Sequence, residues 1–364
     1  MLYCHTMISI AEKAVPGGYC IARPEGKAVF VTGALPGETV DIEIVEDKKK
    51  YSFAKVISVL EPSNRRVTPP CPFFGVCGGC SLQMADQDFQ REIRLSLLQD
   101  CLDKAAVPFT GIIGFEGASG YGYRSRFQFH RDESGKIGFK HTSDDTIVPV
   151  NDCLVAQETV RKALSSGYFS TIPDCPSRFH VFSSDSHVWS EPVNPEVSIT
   201  IGGKDMSFDV RGFFQSNIPL FERLLIDIFS RSPVITGPLL DFYSGVGTFS
   251  LAATGFCDEV VLVEHNRSAC QWAQRNLDKQ GTTVHMCAVS DDAWPHCKQS
   301  RIPFSTAIVD PPRSGISKTA LDWFIKSSVC DLRYVSCDPV TFSGGAAILS
   351  NAGFHLESFG RFIR

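Results

Sequence analysis

Cysteine residues at one place in the chain have a spacing that suits metal binding. Cys71, Cys77 and Cys80 lie within ten residues, in CPFFGVCGGC, where two glycines keep bulky side chains away from the sulphur atoms. Cys153, in NDCL, could supply a fourth thiolate. Four thiolates suit tetrahedral zinc and an iron–sulphur cluster equally well, so the spacing predicts a metal site but leaves the metal open.

A further cysteine lies where a nucleophile could act. Cys337 follows a predicted strand in LRYVSCDPV, and Pro339 stiffens the turn after it. A thiol that faces a ligand crevice can serve as a nucleophile. A buried structural cysteine would explain Cys337 taken alone, but its position beside two other motifs at the same predicted sheet edge favours the nucleophile.

The first of those motifs is a glycine turn followed by a carboxylate. Gly245 and Gly247 come directly after a predicted strand, and Glu264 ends the next strand about twenty residues on, where it can accept hydrogen bonds from both ribose hydroxyls of a nucleoside. Ser250 stands where a dinucleotide fingerprint has its third glycine. The spacing therefore favours S-adenosylmethionine over NAD, with a tight turn and a surface carboxylate as the alternative.

The second motif is Asp310 at the end of the strand FSTAIVDPP. Two successive prolines forbid a continued helix or strand and hold a rigid turn. Many methyltransferases that act on exocyclic amines have Asp or Asn, two prolines and an aromatic residue here, whereas this chain has Arg313. An amino-methyltransferase that binds the amine with Asp310 is therefore an alternative function.

The elements that position these residues alternate between helix and strand from Ile218 onward. This rhythm predicts a parallel, Rossmann-like sheet with helices on both faces, in which ligands bind at the carboxyl ends of the strands. We assign it to a domain of residues 211–364. The helical spacing of DQDFQREIRLSLLQDCLD and the strand-like pieces after it predict an irregular central α+β domain over residues 63–210.

Short, evenly spaced apolar runs before Leu60 predict a small OB-like β-barrel over residues 1–62, which ends at the polar stretch PSNRRVTPP. The basic run Lys48–Lys50 is either a solvated hairpin tip or a contact with RNA phosphates. In the central region, YRSRFQFHRD interleaves arginines with aromatic residues, which is typical either of RNA stacking or of a strand with one solvated face.

Composition limits the class of protein. The chain has 364 residues, of which 43% are apolar, so it can bury substantial cores and is neither disordered nor fibrous. A formal charge of -5 neither indicates nor excludes nucleic acid. No run of apolar residues is long enough to span a membrane, and the first residues lack a secretory signal pattern. We therefore expect a cytoplasmic protein whose fourteen cysteines are reduced, bound to metal or catalytic.

Taken together, these strings closely resemble the RNA uracil-5-methyltransferases over nearly the whole chain. VFVTGALPGE resembles their TRAM domain, an RNA-binding module, and CPFFGVCGGCSLQ resembles their cluster motif. FFQSN, DFYSGVGTFSL, VEHN, DPPR and SCDP match further motifs of the family in the expected order.

The resemblance implies a role for each matched residue. A 4Fe-4S cluster would be ligated by Cys71, Cys77, Cys80 and Cys153. S-adenosylmethionine would be contacted by Gln215, Tyr243, Gly245, Glu264 and Asp310. Cys337 would add to carbon 6 of uracil so that carbon 5 can take the methyl group. The barrel and the cluster together favour 23S ribosomal RNA as substrate, with the tRNA T-loop uridine as the alternative, and we expect a monomer.

The sequence departs from the family at two places. The family's motif is SCNPxTxxRD. This chain has Asp338 in place of its asparagine, and Gly344 and Gly345 in place of its Arg-Asp pair. The given sequence also ends at Arg364, before the expected His-x-Glu whose glutamate is the general base. We therefore expect a truncated sequence or slow turnover, with an impaired RNA-binding protein as an alternative, and Glu357 is a weak substitute for the base.

Overall fold

The computed structural model describes residues 6–109, 113–117, 120–230, 235–278 and 280–363. The chain forms two compact units, Met1–Cys101 with Asp132–Val150, and Leu102–Arg131 with Asn151–Arg364. The predicted domain boundaries after residues 62 and 210 fall inside these units, and the three-domain division stays a prediction. Residues 1–5 of the predicted first domain and Arg364 of the last lie outside the described residues.

The strands are β1 (Thr6–Ile10), β2 (Lys13–Val15), β3 (Tyr19–Ala22), β4 (Ala28–Thr32), β5 (Thr39–Asp47), β6 (Tyr51–Glu61), β7 (Ile113–Gly117), β8 (Arg126–Arg131), β9 (Ile137–Lys140), β10 (Ile147–Pro149), β11 (Arg178–Ser183), β12 (Val188–Ser190), β13 (Glu196–Ile201), β14 (Lys204–Asp209), β15 (Leu239–Phe242), β16 (Glu259–Val263), β17 (Thr283–Cys287), β18 (Thr306–Val309), β19 (Asp331–Tyr334) and β20 (Phe359–Ile363). The α-helices are α1 (Gln87–Lys104), α2 (Glu158–Ser165), α3 (Ile218–Ser230), α4 (Thr248–Ala253), α5 (Arg267–Leu277), α6 (Lys318–Lys326) and α7 (Pro339–Asn351).

The first unit begins with a six-stranded sheet, which we call the N-terminal sheet. Its strand order is β1-β5-β6-β4-β3-β2, with β4 and β6 parallel and the other pairs antiparallel. Alternate residues such as Val29, Val31, Val40 and Ile42 face a common core and are at most 2% exposed. The expected all-β module is therefore present, and its closure into a barrel stays a prediction.

The segment after the N-terminal sheet is attached to it by a buried ion pair. Glu38 is fully buried, and its carboxylate accepts hydrogen bonds from Arg66 at 2.5 and 2.7 Å and from the amide nitrogens of Leu35 and Ser63. Because a buried charge is tolerated only when it is paired and hydrogen-bonded, this arrangement fixes the start of the polar linker. The cysteine-rich loop, most of α1 and the β9–β10 hairpin complete the unit.

In the second unit, β11 pairs with β8 and β12. Two of the aromatic residues of YRSRFQFHRD cannot stack on RNA, because Phe127 and Phe129 are at most 1% exposed and stack on each other at 5.4 Å. Arg126 donates to the backbone oxygen of Gly212 at 3.2 Å, and burial lowers the pKa of its guanidinium, as does the charge of Arg124. The strand interpretation of this stretch is the correct one.

A five-stranded parallel sheet follows, with the order β17-β16-β15-β18-β19. Alternate strand residues pack on opposite faces. Leu239, Val260 and Ile308 belong to the cluster that contains residues of α3, α4 and α5. Leu240, Val261 and Ala307 belong to the cluster that contains residues of α6 and α7. The predicted parallel sheet with helices on both faces is confirmed.

Several elements of the second unit were not predicted, among them α2 and the antiparallel pair of β13 and β14. Sequence reasoning missed β17, an edge strand whose residues are mostly polar or only half-buried. It also missed the separate parallel pair formed by β20 and β7. Within the described ranges, no helix is long and apolar enough to cross a membrane.

Candidate active site

The carboxyl edge of the parallel sheet gathers four of the predicted site residues. Glu264 follows β16, Tyr243 follows β15, Asp310 follows β18, and Cys337 comes three residues after β19. These four strands are consecutive neighbours in the sheet. Since parallel strands end at the same edge, the four loops lie side by side in that order.

The glycine turn after β15 leaves room for a ligand. Tyr243 and Gly245 have positive φ angles of 66° and 54°, and a side chain built at Gly245 would meet no atom within 4 Å. At Gly247, by contrast, a Cβ would lie 3.1 Å from Cβ of Ala273, so glycine is needed there for close packing against α5. The hydroxyl of Ser244 is buried in the same turn without a partner among the described residues.

Glu264 is held beside this turn. Glu264 is only 8% exposed. Its two carboxylate oxygens accept hydrogen bonds from the backbone amide nitrogens of Gly245 at 3.1 Å and Asn266 at 2.7 Å. Nδ1 of the exposed His265 also lies 3.3 Å from one of these oxygens. A carboxylate has about four acceptor sites, so it can still accept from a ribose hydroxyl. The carboxylate is thus oriented by the backbone before any ligand binds.

Two other carboxyl groups at this edge, those of Asp241 and Asp310, have raised pKa values, which favours their neutral form. Burial raises the pKa of Asp241 to about 6, although the amide and hydroxyl of Ser250 donate to it at 2.9 and 2.6 Å. Burial and the charge of Asp241 raise the pKa of Asp310 to about 7. The side-chain amide of Gln215 donates a hydrogen bond to the carboxyl group of Asp310 at 3.5 Å. This contact brings together two residues that are 95 positions apart. Asp241 was not predicted as a site residue.

Tyr243 is connected to a residue that sequence reasoning missed. Its hydroxyl donates to Asp291 at 2.7 Å, so its ring and backbone, rather than its hydroxyl, are left to meet a ligand. Asp291 also accepts from the amide nitrogen of Ser317, which caps α6. Although burial raises the pKa of Asp291, these hydrogen bonds outweigh it and lower the pKa below its ordinary value. Asp291 could not be found from the sequence because it follows the unpredicted strand β17.

Cys337 is exposed just before α7. The next residue, Asp338, accepts from the amide nitrogens of Val340 at 3.0 Å and Thr341 at 2.9 Å. Asparagine and aspartate are equally good at such a helix N-cap, so this departure from the family motif keeps the local structure. At Gly345 a Cβ would lie 3.2 Å from the hydroxyl oxygen of Tyr334, so the second departure accompanies close packing of α7 on β19.

Exposed residues lie close in sequence to two of the site residues. Phe213, two positions before Gln215, is 74% exposed, and Arg313 is exposed in the loop after Asp310. That loop packs on the first turn of α7, since a Cβ at Gly315 would lie 3.2 Å from Cβ of Thr341. The predicted substitute base, Glu357, is exposed and lies before β20 rather than within a strand.

The cysteine-rich loop is a series of tight turns. The amide nitrogen of Cys77 donates to the oxygen of Phe73 at 2.8 Å, and that of Phe74 donates to the oxygen of Cys71 at 3.1 Å. The three thiols of the loop are half-buried in the first unit, whereas Cys153 belongs to the second unit. Thiols suit iron and zinc by their chemistry, but among the described residues no three His, Cys, Asp or Glu side chains are grouped to hold a metal ion.

Two family models match the chain. Residues 7–57 match the TRAM domain, and residues 191–356 match the tRNA (uracil-5-)-methyltransferase family. These matches cover most of the N-terminal sheet and the whole parallel sheet.

Relatives match over nearly the full length. An RNA methyltransferase of Treponema denticola, named as uncharacterized, is 37% identical over 95% of this chain and 92% of its own length. A 23S rRNA (uracil(1939)-C(5))-methyltransferase of a Shewanella strain is 27% identical over 94% of this chain and 89% of its own.

A solved structure resembles the chain over most of its length. The tRNA (uracil-54, C5)-methyltransferase of Pyrococcus abyssi, in complex with S-adenosyl-L-homocysteine, superposes with a TM-score of 0.72 at 21% identity. It covers 92% of this chain and 91% of its own. With the site geometry, these findings show that the chain belongs to the S-adenosylmethionine-dependent RNA uracil-5-methyltransferases that carry a TRAM domain.

Proposed function

We propose that this enzyme methylates carbon 5 of a uridine in 23S ribosomal RNA through a covalent bond between Cys337 and the base. The full-length relative from Shewanella is named for 23S rRNA, which supports this substrate. The Pyrococcus enzyme is named for tRNA, but at 21% identity it supports the fold alone. A tRNA uridine is therefore the second candidate.

The observation that carries the proposal is the order of residues along the carboxyl edge. The turn at Tyr243 and the carboxylate of Glu264 lie at one end of this row, Asp310 lies in the middle, and Cys337 lies at the other end. A cofactor bound across the first strands would therefore direct its reactive group toward the loops that hold Asp310 and Cys337.

The residues at the edge fit S-adenosylmethionine. The open space at Gly245, the unpartnered hydroxyl of Ser244 and the remaining acceptor sites of Glu264 are what a nucleoside would fill. Gln215 and Asp310 would contact the rest of the cofactor. Bound there, S-adenosylmethionine supplies an electrophilic methyl group on a positively charged sulphur.

Cys337 would make carbon 5 reactive. Carbon 5 of uracil is a poor nucleophile, but addition of the thiolate to carbon 6 converts the ring to an enolate whose electron density lies on carbon 5. Carbon 5 then forms a bond to the methyl group as the bond from that group to sulphur breaks. A base removes the proton from carbon 5, the carbon–sulphur bond to Cys337 breaks, and the thiolate is regenerated.

The target uridine must be unstacked for this reaction, because carbons 5 and 6 are covered in a stacked helix. Phe213 offers an exposed aromatic face beside Gln215, and Arg313 offers a cation for a neighbouring phosphate. Both are assigned here to RNA rather than to the cofactor.

We also propose a structural 4Fe-4S cluster on Cys71, Cys77, Cys80 and Cys153, on the basis of the resemblance to the family's cluster motif rather than of the cysteine spacing. The test is metal analysis of anaerobically purified protein, for which we expect about four irons per chain and a brown colour. Cys77→Ser should lose the iron, whereas the exposed Cys330→Ser should keep it. One zinc and no iron in the wild-type protein would contradict the cluster.

The proposed reaction and substrate are tested by mapping 5-methyluridine by mass spectrometry. The 23S rRNA and tRNA of cells with and without the gene would be compared. We expect one uridine of 23S rRNA to lose its methyl group in the deletion strain and to regain it when the wild-type gene, but not Cys337→Ala, is restored. Loss confined to tRNA would identify the second candidate substrate, and an unchanged RNA profile would contradict the proposal.

A further inference from the structure

We propose that Asn276 is a positioning residue for the cofactor, because its side chain ties the glycine turn after β15 to the hairpin of β13 and β14. Asn276 lies near the end of α5 and is only 7% exposed. The inference rests on the proposed binding of S-adenosylmethionine at the glycine turn. It gives a role to a buried polar residue that the transfer reaction does not use.

The side-chain amide of Asn276 has three backbone partners on two separate segments. Its Nδ2 donates to the oxygen of Val246 at 3.0 Å and to the oxygen of Ser207 at 3.0 Å. Its Oδ1 accepts from the amide nitrogen of Ser207 at 2.9 Å. An asparagine amide has two N–H donors and one acceptor oxygen, and here all three take part. A single buried group therefore joins β14 to the glycine turn.

The bond to Val246 acts on the part of the turn that the cofactor is proposed to meet. Val246 stands between Gly245 and Gly247, which have positive φ angles of 54° and 83°. Glycine loses more conformational freedom on folding than any other residue, so such a turn needs contacts that hold it. The amide nitrogen of Gly245 also donates to Glu264 at 3.1 Å. A shift of the backbone at Val246 would therefore disturb both the open space at Gly245 and the orientation of Glu264.

The hairpin of β13 and β14 is a firm anchor for this bond. Its two strands are paired over their full length. Val197, Met206 and Phe208 of the hairpin are at most 2% exposed and share a core cluster with residues of α4 and α5. Thr248, the first residue of α4, also donates to the sulphur of Met206 at 3.5 Å. Asn276 thus connects the glycine turn to a hairpin that is itself fixed by packing.

The same hairpin leads into the segment that carries Gln215. Phe208 of β14 stacks on Phe214, with ring centroids 4.0 Å apart, and Gln215 is the next residue. The hairpin therefore supports two parts of the proposed cofactor site, the glycine turn through Asn276 and Gln215 through this stack. Loss of the Asn276 bonds should loosen the first part and leave the second in place. We therefore expect weaker cofactor binding and an unchanged chemical step.

A purely structural role for Asn276 is the alternative. Backbone groups that lose a buried hydrogen-bond partner cost stability wherever they lie, so a lower thermal midpoint alone does not separate the two roles. A positioning residue changes the affinity of the folded protein for the cofactor, whereas a structural residue changes only the fraction of protein that is folded.

The first test is isothermal titration calorimetry of S-adenosylmethionine with the full-length wild-type protein and Asn276→Leu. Leucine has a similar branched shape but no hydrogen-bonding atom. We expect Asn276→Leu to bind about tenfold more weakly, because the turn must then be ordered at the expense of binding. In the transfer assay, KM for S-adenosylmethionine should rise by the same factor, while kcat and KM for RNA stay within about twofold of wild type.

Arg333→Met is the control for a general loss of stability. Arg333 is 8% exposed and donates to the backbone oxygen of Ile228 at 3.0 Å, so it too is a buried tether. It belongs to β19, which is two positions from β15 in the parallel sheet. Arg333→Met should lower the thermal midpoint and keep the wild-type affinity for S-adenosylmethionine.

Hydrogen exchange of the ligand-free protein measures the turn itself. The amide nitrogens of Gly245 and Gly247 donate to Glu264 and to the oxygen of Ser244, which protects them from exchange. In Asn276→Leu, peptides that contain this turn should exchange at least about tenfold faster, whereas peptides of β18 should exchange as in wild type. If Asn276→Leu does not fold, Asn276→Ser takes its place, because a serine hydroxyl is too short to join the two segments, and at least about threefold weaker binding is expected.

Two results would overturn the inference. One is wild-type affinity for S-adenosylmethionine in a folded variant of Asn276. The other is an equal loss of affinity in Arg333→Met, which would assign the effect to general destabilisation. Both are independent of the proposed reaction, because calorimetry and hydrogen exchange need no RNA and no methyl transfer. Weaker binding by Asn276→Leu together with no 5-methyluridine from the wild-type protein would support the inference and contradict the proposed reaction alone.

Discussion

The carboxyl edge of the parallel sheet and the cysteine-rich loop both hold motifs that could be found in the sequence, but they are built in different ways. At the edge, hydrogen-bonded neighbouring strands deliver Glu264, Tyr243, Asp310 and Cys337 to one side of the sheet. In the loop, three thiols are carried by consecutive turns that are joined to the end of β9 by only a few backbone contacts, such as the hydrogen bond from the amide nitrogen of Gly78 to the oxygen of Lys140 at 3.2 Å.

This difference teaches when a motif determines a site. The fold positions the residues of the edge whether or not a ligand is bound, and Glu264 is already oriented by the amide nitrogens of Gly245 and Asn266. A metal site in a loop depends on binding itself, because ligand ordering and metal binding form one equilibrium. Variants at the edge should therefore change chemistry or affinity and leave the fold intact.

The largest effect is expected at Cys337. Cys337→Ala removes the proposed nucleophile, so turnover should fall by about a thousandfold or more, as it does when a nucleophile is deleted from other enzymes. Because the residue is exposed, the thermal midpoint should stay within a few degrees of wild type. The measurement is tritium transfer from labelled S-adenosylmethionine to RNA, with the exposed Cys330→Ala as control. Retained turnover would show that the edge does not act through this thiol.

The next largest effect is expected at Glu264. Glu264→Gln removes charge-assisted hydrogen bonds, each of about 1.5–3 kcal/mol, so the affinity for S-adenosylmethionine should fall at least about tenfold. Isothermal titration calorimetry measures it directly. Glu259→Gln, at the start of β16 and paired with His285 at 3.2 Å, should leave affinity unchanged. Equal affinities of Glu264→Gln and wild type would contradict the ribose assignment.

Asp310 should make the stability of the protein depend on pH. Burial and the charge of Asp241 raise the pKa of this carboxyl to about 7, against about 3.9 in an unfolded chain. Between these values the folded state holds a proton that the unfolded state has released, so the free energy of unfolding decreases as pH rises. Asp310→Asn should remove this decrease in the free energy of unfolding.

In the absence of ligand, Asp310→Asn should therefore be more stable than wild type at pH 8, by at most a few kcal/mol, and the gain should shrink toward pH 4. Thermal denaturation across this range measures it. A difference between the two proteins that does not change with pH would show that Asp310 is not held in its neutral form.

The smallest effect is expected at Asp291, a positioning residue that acts through Tyr243. Asp291→Asn weakens the hydrogen bonds from the Tyr243 hydroxyl and the Ser317 amide without removing them. KM for S-adenosylmethionine should therefore rise about threefold to tenfold, the range for one ordinary hydrogen bond, while kcat stays near wild type. The exposed neighbour Asp292→Asn is the control. A lowered kcat with unchanged KM would assign Asp291 to the chemical step instead.

The contrast between elements with a regular pattern and elements without one also explains which parts of the structure could be predicted from the sequence. Alternating helices and strands implied the parallel sheet, and the rule that ligands bind at strand ends implied its edge. The polar, half-buried β17 lacks such a pattern, so Asp291 was missed with it. Alternation along YRSRFQFHRD identified a strand but not which face is buried, and Phe127 and Phe129 lie on the core face. Hydrogen bonds between distant residues, such as Gln215 to Asp310, require the fold itself.

The central claim, that Cys337 forms a bond to the uracil ring, is tested most directly with RNA that carries 5-fluorouridine at the target position. Fluorine cannot leave as a proton, so elimination stalls after methyl transfer and the protein should stay covalently attached to the RNA. Under denaturing electrophoresis we expect a protein–RNA band with the wild-type protein and S-adenosylmethionine, and peptide mass spectrometry should place the modification on Cys337. An adduct that persists in Cys337→Ala, or 5-methyluridine formation by a wild-type protein that yields no adduct, would contradict the account.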